Sequence, residues 1–532
     1  MNSRKAVLTA ASLLLIIIFA SVLYADHGRV VGKLYAGGEE GNLLYIDKYN
    51  LTLKGTDKNG VTYYCLPAYA DLTELDQSDS AFSLLQSDGT PLRSPLTGRE
   101  QDILVDTGSG DPLPWRICFL RSENLCSLFI NTTDTPMSSI EHDIYSGAEA
   151  TLFSSTGSVL YSNKDIQIKG RGNATWQAEK KPYELKLPEK AGLCGLSASK
   201  KWTLLANYFE PTKLCNKLAF DTSEAIGLEY SIESDWIDLY ANNEYLGNYL
   251  LCREPAIGSA DLDISSLEKK NSPYVLDAEP FETKDMKGYD FTAPFSPGEG
   301  GFLIEKNVNA YYEKKSCGFK TLDNFFTIKS PDNASYGQVE YIKNFVTMVD
   351  DAIRSNSLDE LSLIDTDTFT RRFILEELFF NDDAFVTSYY FYKKPFENVL
   401  YAGPVWDYDG TVGGGDGPYL NPEGTILEQR NYIAPEDMAF KNPLDWDVML
   451  YDDKAYYDIL VDVFHMNLPV LTDMVNDRMD SYYDRIRASV LMDYAIWCNG
   501  GGGGQYDTPD ENYGFTKDFL TKRLDFLSHR WE

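Results

Sequence analysis

The sequence predicts an α+β chain built as two lobes, and three observations carry that expectation: a strand-rich first half, a helical second half, and an acidic hairpin near their junction. Strand signals run from about residue 155 through VLYSNKDIQIKGRGNATW, KPYELKL, KKWTLLANYF, WIDLYANNEYLGNYLLCREP and GGFLIEKNV, all rich in β-branched and aromatic residues. Helical spacing takes over from residue 336 onward. Between the two, residues 387–392 and 399–405 read as paired strands, with Lys-Pro and Glu-Asn in the turn. Asp383 precedes the first of these strands and Asp407 follows the second, so a hairpin brings the two carboxylates to one end.

Length and charge bound the function. At 532 residues the chain can hold several cores, and a hydrophobic content of 43% excludes a wholly disordered one. Lys and Arg total 48 against 81 Asp and Glu, for a formal charge of -33. Nucleic acid and anionic membrane surfaces are therefore poor partners, and any phosphate site needs a metal or a few local cations. The first residues combine a basic start with an apolar run over 6–24, which reads as a cleaved signal peptide or a retained membrane tether. Both alternatives put the body of the chain outside the cytoplasm, secreted or anchored.

Eight cysteines suit such a compartment. Cys118 and Cys126 are close enough in sequence for a local bridge; the others are scattered without a CxxC pair, which argues against structural zinc. Four histidines make a histidine-rich metal centre improbable. Sequons stand at Asn131, Asn173 and Asn333.

In chain order, residues 27–150 form a β-rich entry region and 151–335 a sheet-rich part, interrupted by a helix in PTKLCNKLAFDTSEAIG. The segment 336–499 is the helical part that carries the hairpin. In it Val339, Ile342, Val346, Val349 and Ile353 share one helical face, DTDTFTRRFILEELFF starts at an Asp or Thr cap, and the long run after residue 450 breaks near 467–469. A glycine-rich loop over 500–515 and a closing helix over 516–532 complete the chain.

Several residues can carry chemistry, each against a plainer alternative. Gly170-Arg171-Gly172 permits a tight turn whose amides and guanidinium approach phosphate, or is an ordinary turn. Lys186 stands opposite Leu185 and Leu187 on its strand and points into a cleft or into water. Glu254 can pair with a cation that orients phosphate, and Glu305 and Lys306 carry the same ambiguity. Asp407 and Asp409 alternate with Trp406 and Tyr408, so both carboxylates share a side and a cation would relieve their repulsion. That cation is magnesium in phosphoryl transfer, or calcium in a structural loop. Asp382 or Asp383 caps a turn, or Asp383 orients an incoming hydroxyl.

Six segments in this order, IKGRGNATW, KKPYELKL, KKWTLLANYFEPTKLCNKLAF, YLGNYLLCRE, NDDAFVTSYYFY and GPVWDYDG, resemble the spore-coat protein H (CotH) kinase family from about residue 165 to about 413. The resemblance implies an atypical protein-kinase-like two-lobe fold that uses ATP with Mg2+ or Mn2+ to phosphorylate protein serines. By position it implies Asp383 as the catalytic aspartate and Asp407 as the principal metal ligand, with Asp409 a second ligand or a structural partner. Lys186 matches the phosphate-contacting lysine, supported by Glu254, while Arg171 offsets phosphate charge. Asn207 falls in a family motif without an implied role. Many relatives carry Asn at the position of Ser388, five after Asp383, where protein kinases hold a second metal. Serine there weakens that metal position, moves it to another group, or marks reduced activity. The alternatives to a kinase are a noncatalytic surface or coat-assembly protein and a calcium-stabilised binding module.

Overall fold

A computed structural model of the chain describes residues 31–35, 42–77, 82–132, 135–267, 300–313, 317–332, 334–355, 360–381, 384, 386–412, 446–497 and 506–532. The expected N-terminal targeting segment, Asp382, Asp383, Asn333 and the glycine run at 500–504 lie outside these residues.

Nine strands open the described chain: β1 (Val31–Tyr35), β2 (Leu43–Ile46), β3 (Leu51–Lys54), β4 (Thr56–Lys58), β5 (Val61–Leu66), β6 (Glu74–Asp76), β7 (Ser83–Leu85), β8 (Glu100–Asp106) and β9 (Leu113–Arg121). Five of them form a sheet in the order β4-β5-β9-β8-β7. Then come β10 (Cys126–Thr132), β11 (Ser146–Phe153), β12 (Val159–Gly170), β13 (Tyr183–Ala191), β14 (Ser199–Leu205), β15 (Ser234–Ala241) and β16 (Glu244–Cys252). These seven run β14-β13-β12-β11-β10-β15-β16, and β16 pairs back onto β14 through Thr203, Leu204 and Leu205, so the sheet closes into a barrel. Within the ring only β10 and β15 are parallel. Inward residues such as Ile130, Leu152, Ile168, Leu185, Trp202, Leu239 and Leu251 fill it. The expected boundary at 150/151 falls inside β11, because barrel closure requires β10 and β11.

A second sheet, in the order β18-β19-β17-β20-β21, is made by β17 (Phe302–Lys306), β18 (Gly318–Lys320), β19 (Phe325–Ser330), β20 (Tyr389–Lys393) and β21 (Leu400–Ala402). The last two are the predicted hairpin, shorter than its apolar pattern suggested because Pro404 has no N–H with which to extend the ladder.

Among the described residues the helices longer than one turn are α1 (Cys215–Ala225), α2 (Val308–Glu313), α3 (Tyr336–Ser355), α4 (Thr366–Phe379), α5 (Trp446–Asp452), α6 (Lys454–Asp473), α7 (Met479–Ile496) and α8 (Pro509–Arg530). The five apolar positions predicted for α3 are all buried. Asp365 caps α4 by accepting from Thr368 N at 2.8 Å. The expected break near 467–469 is corrected: α6 runs through Pro469 to Asp473, and the ladder widens only at Met474–Arg478, a π-helical turn before α7. The closing helix starts at Pro509, seven residues earlier than expected, where Thr508 caps it.

One core joins the helices to the second sheet and to the barrel residues Trp236, Leu250 and Cys252. Helix α7 is clamped to the barrel through buried polar groups. Lys180 Nζ lies 2.5 Å from Asp493 Oδ2, which also accepts from Asn248 N at 2.9 Å. Gly247 is required there, because a Cβ would stand 2.5 Å from Asp493 Oδ2 on a backbone at φ +122.

Candidate functional site

The site lies where the outer face of the barrel meets the second sheet. Strand register aligns Lys169 with Glu184, Glu184 with Thr203 and Thr203 with Cys252 across four barrel strands. Arg171 directly follows β12, and Glu254 lies two residues past β16. Their side chains meet: Arg171 Nε and Nη2 lie 2.9 and 2.8 Å from Glu254 Oε1. Burial opposes charge on both groups. Arg171 nevertheless holds Glu254 below the usual carboxylate range, with help from Lys329 and Lys169, and Glu254 in return raises Arg171.

The second sheet answers with a parallel arrangement. Register places Glu305 between Thr327 and Tyr390, and Lys329 stands two residues beyond Thr327 on the same face. Lys329 Nζ is 3.3 Å from Glu305 Oε2 and 5.9 Å from the Tyr390 ring centre. Glu305 first, then Tyr390, hold its ammonium above the ordinary lysine value, and Glu254 adds to the effect. Positive and negative side chains thus alternate across the junction as Arg171, Glu254, Lys329 and Glu305.

The acidic end of the hairpin stands beside this array. Arg171 lies over the Trp406 ring, 5.8 Å from its centre, and Trp406 stacks on Phe220 of α1. Asp407 is exposed, takes φ 72, and accepts from Ser388 Oγ at 2.8 Å. Its negative charge also favours the Arg171 guanidinium. Burial, then the adjacent Asp407 carboxylate, push Asp409 well above the usual carboxylate range. Asn216 fixes the loop between them: its Oδ1 accepts from Tyr408 N at 2.8 Å, and its Nδ2 donates to Asn207 Oδ1 at 3.0 Å. Glu210 secures the start of α1, accepting from Thr212 N at 2.8 Å and Leu214 N at 2.7 Å. Lys213, fully buried, donates to Asn207 O at 2.8 Å.

Residues 166–527 match the family described as CotH kinase protein. The chain belongs to the CotH kinase family. The CotH match begins inside β12 and ends within α8, so it takes in every site element above but starts after barrel strands β10 and β11. A search of curated proteins returns no match.

Of the residues singled out in this CotH-family sequence, Arg171, Glu254, Ser388, Asp407 and Asp409 come together. Asp383 lies outside the described residues, between Asn381 and Ala384. Asn381 is held by α4, where its Nδ2 donates to Glu376 Oε2 at 2.8 Å. Lys186 is placed differently from Arg171. It is exposed, faces Lys201 in register, and lies 5.2 Å from the Tyr145 ring centre. The expected support of Lys186 by Glu254 is replaced by the Arg171–Glu254 pair. Sequence reasoning missed Lys329. Its signal was the alternation in FFTIKS, which puts Thr327 and Lys329 on one face, but nothing in sequence showed that Glu305 would be the neighbour.

Proposed function

We propose that this CotH-family chain is an ATP-dependent protein serine kinase acting on exported or surface proteins. The observation that carries the proposal is the Arg171–Glu254 and Lys329–Glu305 array set beside Asp407 and Asp409. Four ordered charges next to two mutually repelling carboxylates suit a polyphosphate with its divalent cation.

The residues present fit magnesium or manganese. Asp409 is pushed up beside Asp407, a repulsion that a cation removes. Among the described residues no three His, Cys, Asp or Glu side chains converge on one point. Two carboxylates with the Ser388 hydroxyl suit magnesium, which takes its remaining oxygens from phosphate and water, better than calcium with its six to eight oxygen ligands. A bound cation would neutralise charge on the transferring group. Arg171 and Lys329 would hold phosphate oxygens, with Lys186 on the neighbouring barrel strand β13. Asp383 would orient the serine hydroxyl and take its proton as the new oxygen–phosphorus bond forms and the bond to ADP breaks. The N-terminal apolar run supports an extracytoplasmic body, tethered or secreted, with a protein carrying an acceptor serine as partner.

The test is transfer of radiolabel from the γ-position of ATP by the purified chain, to itself or to secreted proteins, with Mg2+ or Mn2+. Transfer abolished by Asp407→Asn and Asp383→Asn is expected. No transfer together with no cation-dependent nucleotide binding by calorimetry would overturn the proposal. One observation favours a noncatalytic nucleotide-binding protein instead, the Ser388 position itself, and nucleotide binding without transfer would establish that second reading.

A further inference from the structure

The structure assigns a covalent cross-link that no sequence spacing indicates: we propose that Cys126 and Cys194 form a disulfide joining the first barrel strand to the loop between β13 and β14. Cys126 opens β10 and lies opposite Ile237 in parallel register, which puts it at the end of the barrel where β15 begins. Cys194 takes φ 51 in a loop fastened to that same end. There, Ser197 N and Oγ donate to Glu233 at 3.0 and 2.9 Å, and Arg253 Nη1 donates to Ser197 O at 3.1 Å. Two independent sets of backbone and side-chain bonds therefore fix both segments at one end of the barrel.

Their thiols share a hydrogen bond, which holds Cys126 below the ordinary thiol value and pushes Cys194 up. Both are half-buried thiols, whereas Cys65, Cys118, Cys215, Cys252 and Cys317 are buried. Strand register gives no support to the local bridge that the spacing of Cys118 and Cys126 allows. Cys118 belongs to β9 of a different sheet, paired with Tyr63 on one side and Glu100 on the other. Burial and Asp235 raise both thiols, and Arg485, ion-paired with Asp235 at 2.7 Å, offsets part of that effect.

The chemistry is thiol exchange with an external disulfide donor, such as oxidised glutathione or an oxidised thiol oxidoreductase. Cys126 thiolate attacks a donor sulfur and releases one donor thiolate. Cys194 loses its proton and attacks the Cys126 sulfur of the mixed disulfide, releasing the second donor thiolate. Two electrons and two protons leave the protein, and the donor is reduced to two thiols. The closed segment contains β11, β12 and β13, and so both Arg171 and Lys186.

The test treats the reduced full-length chain with oxidised glutathione and maps its peptides without reduction. A Cys126–Cys194 peptide two hydrogens lighter than its parts is expected, with both cysteines protected from maleimide. A rise in Tm is expected too, reversed by dithiothreitol and absent from Cys126→Ser and Cys194→Ser. Free reaction of both cysteines with maleimide after oxidation, or Cys126 joined to any other cysteine, would overturn the assignment. Because the wild-type map decides alone, poor folding of a serine variant does not protect the proposal.

Discussion

Ser388 donates a 2.8 Å hydrogen bond to Asp407, and both residues hold left-handed backbone, at φ 55 and 72. Aspartate tolerates that conformation and serine does not, so the hydrogen bond to Asp407 helps to hold Ser388 there. Ser388→Ala is expected to weaken Mn2+ binding about 2- to 10-fold, the equivalent of one net hydrogen bond. Ser388→Asn is expected to tighten it, since Asn tolerates left-handed backbone and offers a carbonyl oxygen. Titration of bound Mn2+ by calorimetry checks both.

Asp409 predicts how cation and proton compete. Its carboxyl is raised in the folded chain by burial and Asp407, so the native state binds more protons than the unfolded chain. The cation-free fold is therefore favoured at low pH and loses stability as pH rises through that raised value. Saturating Mn2+ should raise Tm more at about pH 8 than at about pH 5, where a protonated Asp409 no longer repels its neighbour. Asp409→Asn should flatten the difference, as read by thermal scans with and without the ion.

Lys329 and Lys186 separate by location. Both lysines are exposed, but Lys329 Nζ lies 3.3 Å from Glu305 and its charge acts on Glu254, whereas Lys186 lies over the Tyr145 ring. Lys329→Met is expected to raise the KM for ATP about tenfold or more, as loss of a charged hydrogen bond does. Lys186→Met is expected to change it by less than about threefold, as for an exposed charge set apart from the Arg171–Glu254 and Lys329–Glu305 pairs. Steady-state kinetics, or nucleotide titration where turnover is absent, measures both.

The buried clamp between barrel and α7 predicts an asymmetry. Burial outweighs Asp493 and holds Lys180 down at about 8. A lysine depressed in the fold contributes stability above its unfolded value and loses it as pH falls through about 8. Asp493→Asn leaves that ammonium buried without its carboxylate and should cost about 3–5 kcal/mol. Lys180→Met paired with Asp493→Asn should recover part of the loss. Gly247→Ala should destabilise by about 1–3 kcal/mol through steric overlap and backbone strain. Denaturant unfolding at about pH 7 tests the set.

What the sequence showed depended on how local the signal was. Helix α3 and the hairpin were legible because each declares its period and its turn within about twenty residues. Barrel closure was not, since it depends on β14 meeting β16 across the intervening helix α1, which no local pattern records. The same holds in the site. Asp383 and Asp407 flank one hairpin and were read together, while Lys329 acts on Glu254 only because two sheets pack. Pro469 misled for a different reason: a helix tolerates the loss of one hydrogen bond where packing on both sides retains its axis.

The clamp also sets an order of assembly. Ser489 Oγ donates to Asp238 Oδ1 at 2.6 Å, and Asp493 neutralises Lys180, so groups deep in a barrel built from residues 126–252 wait for partners more than 230 positions later. A chain emerging from its N-terminus first holds a nearly complete barrel whose inner lysine lacks its ion-pair partner Asp493 until α7 arrives. Synthesis halted before residue 489 would leave a barrel with a buried charge and an uncovered face, a species for chaperones or proteases rather than a smaller working domain.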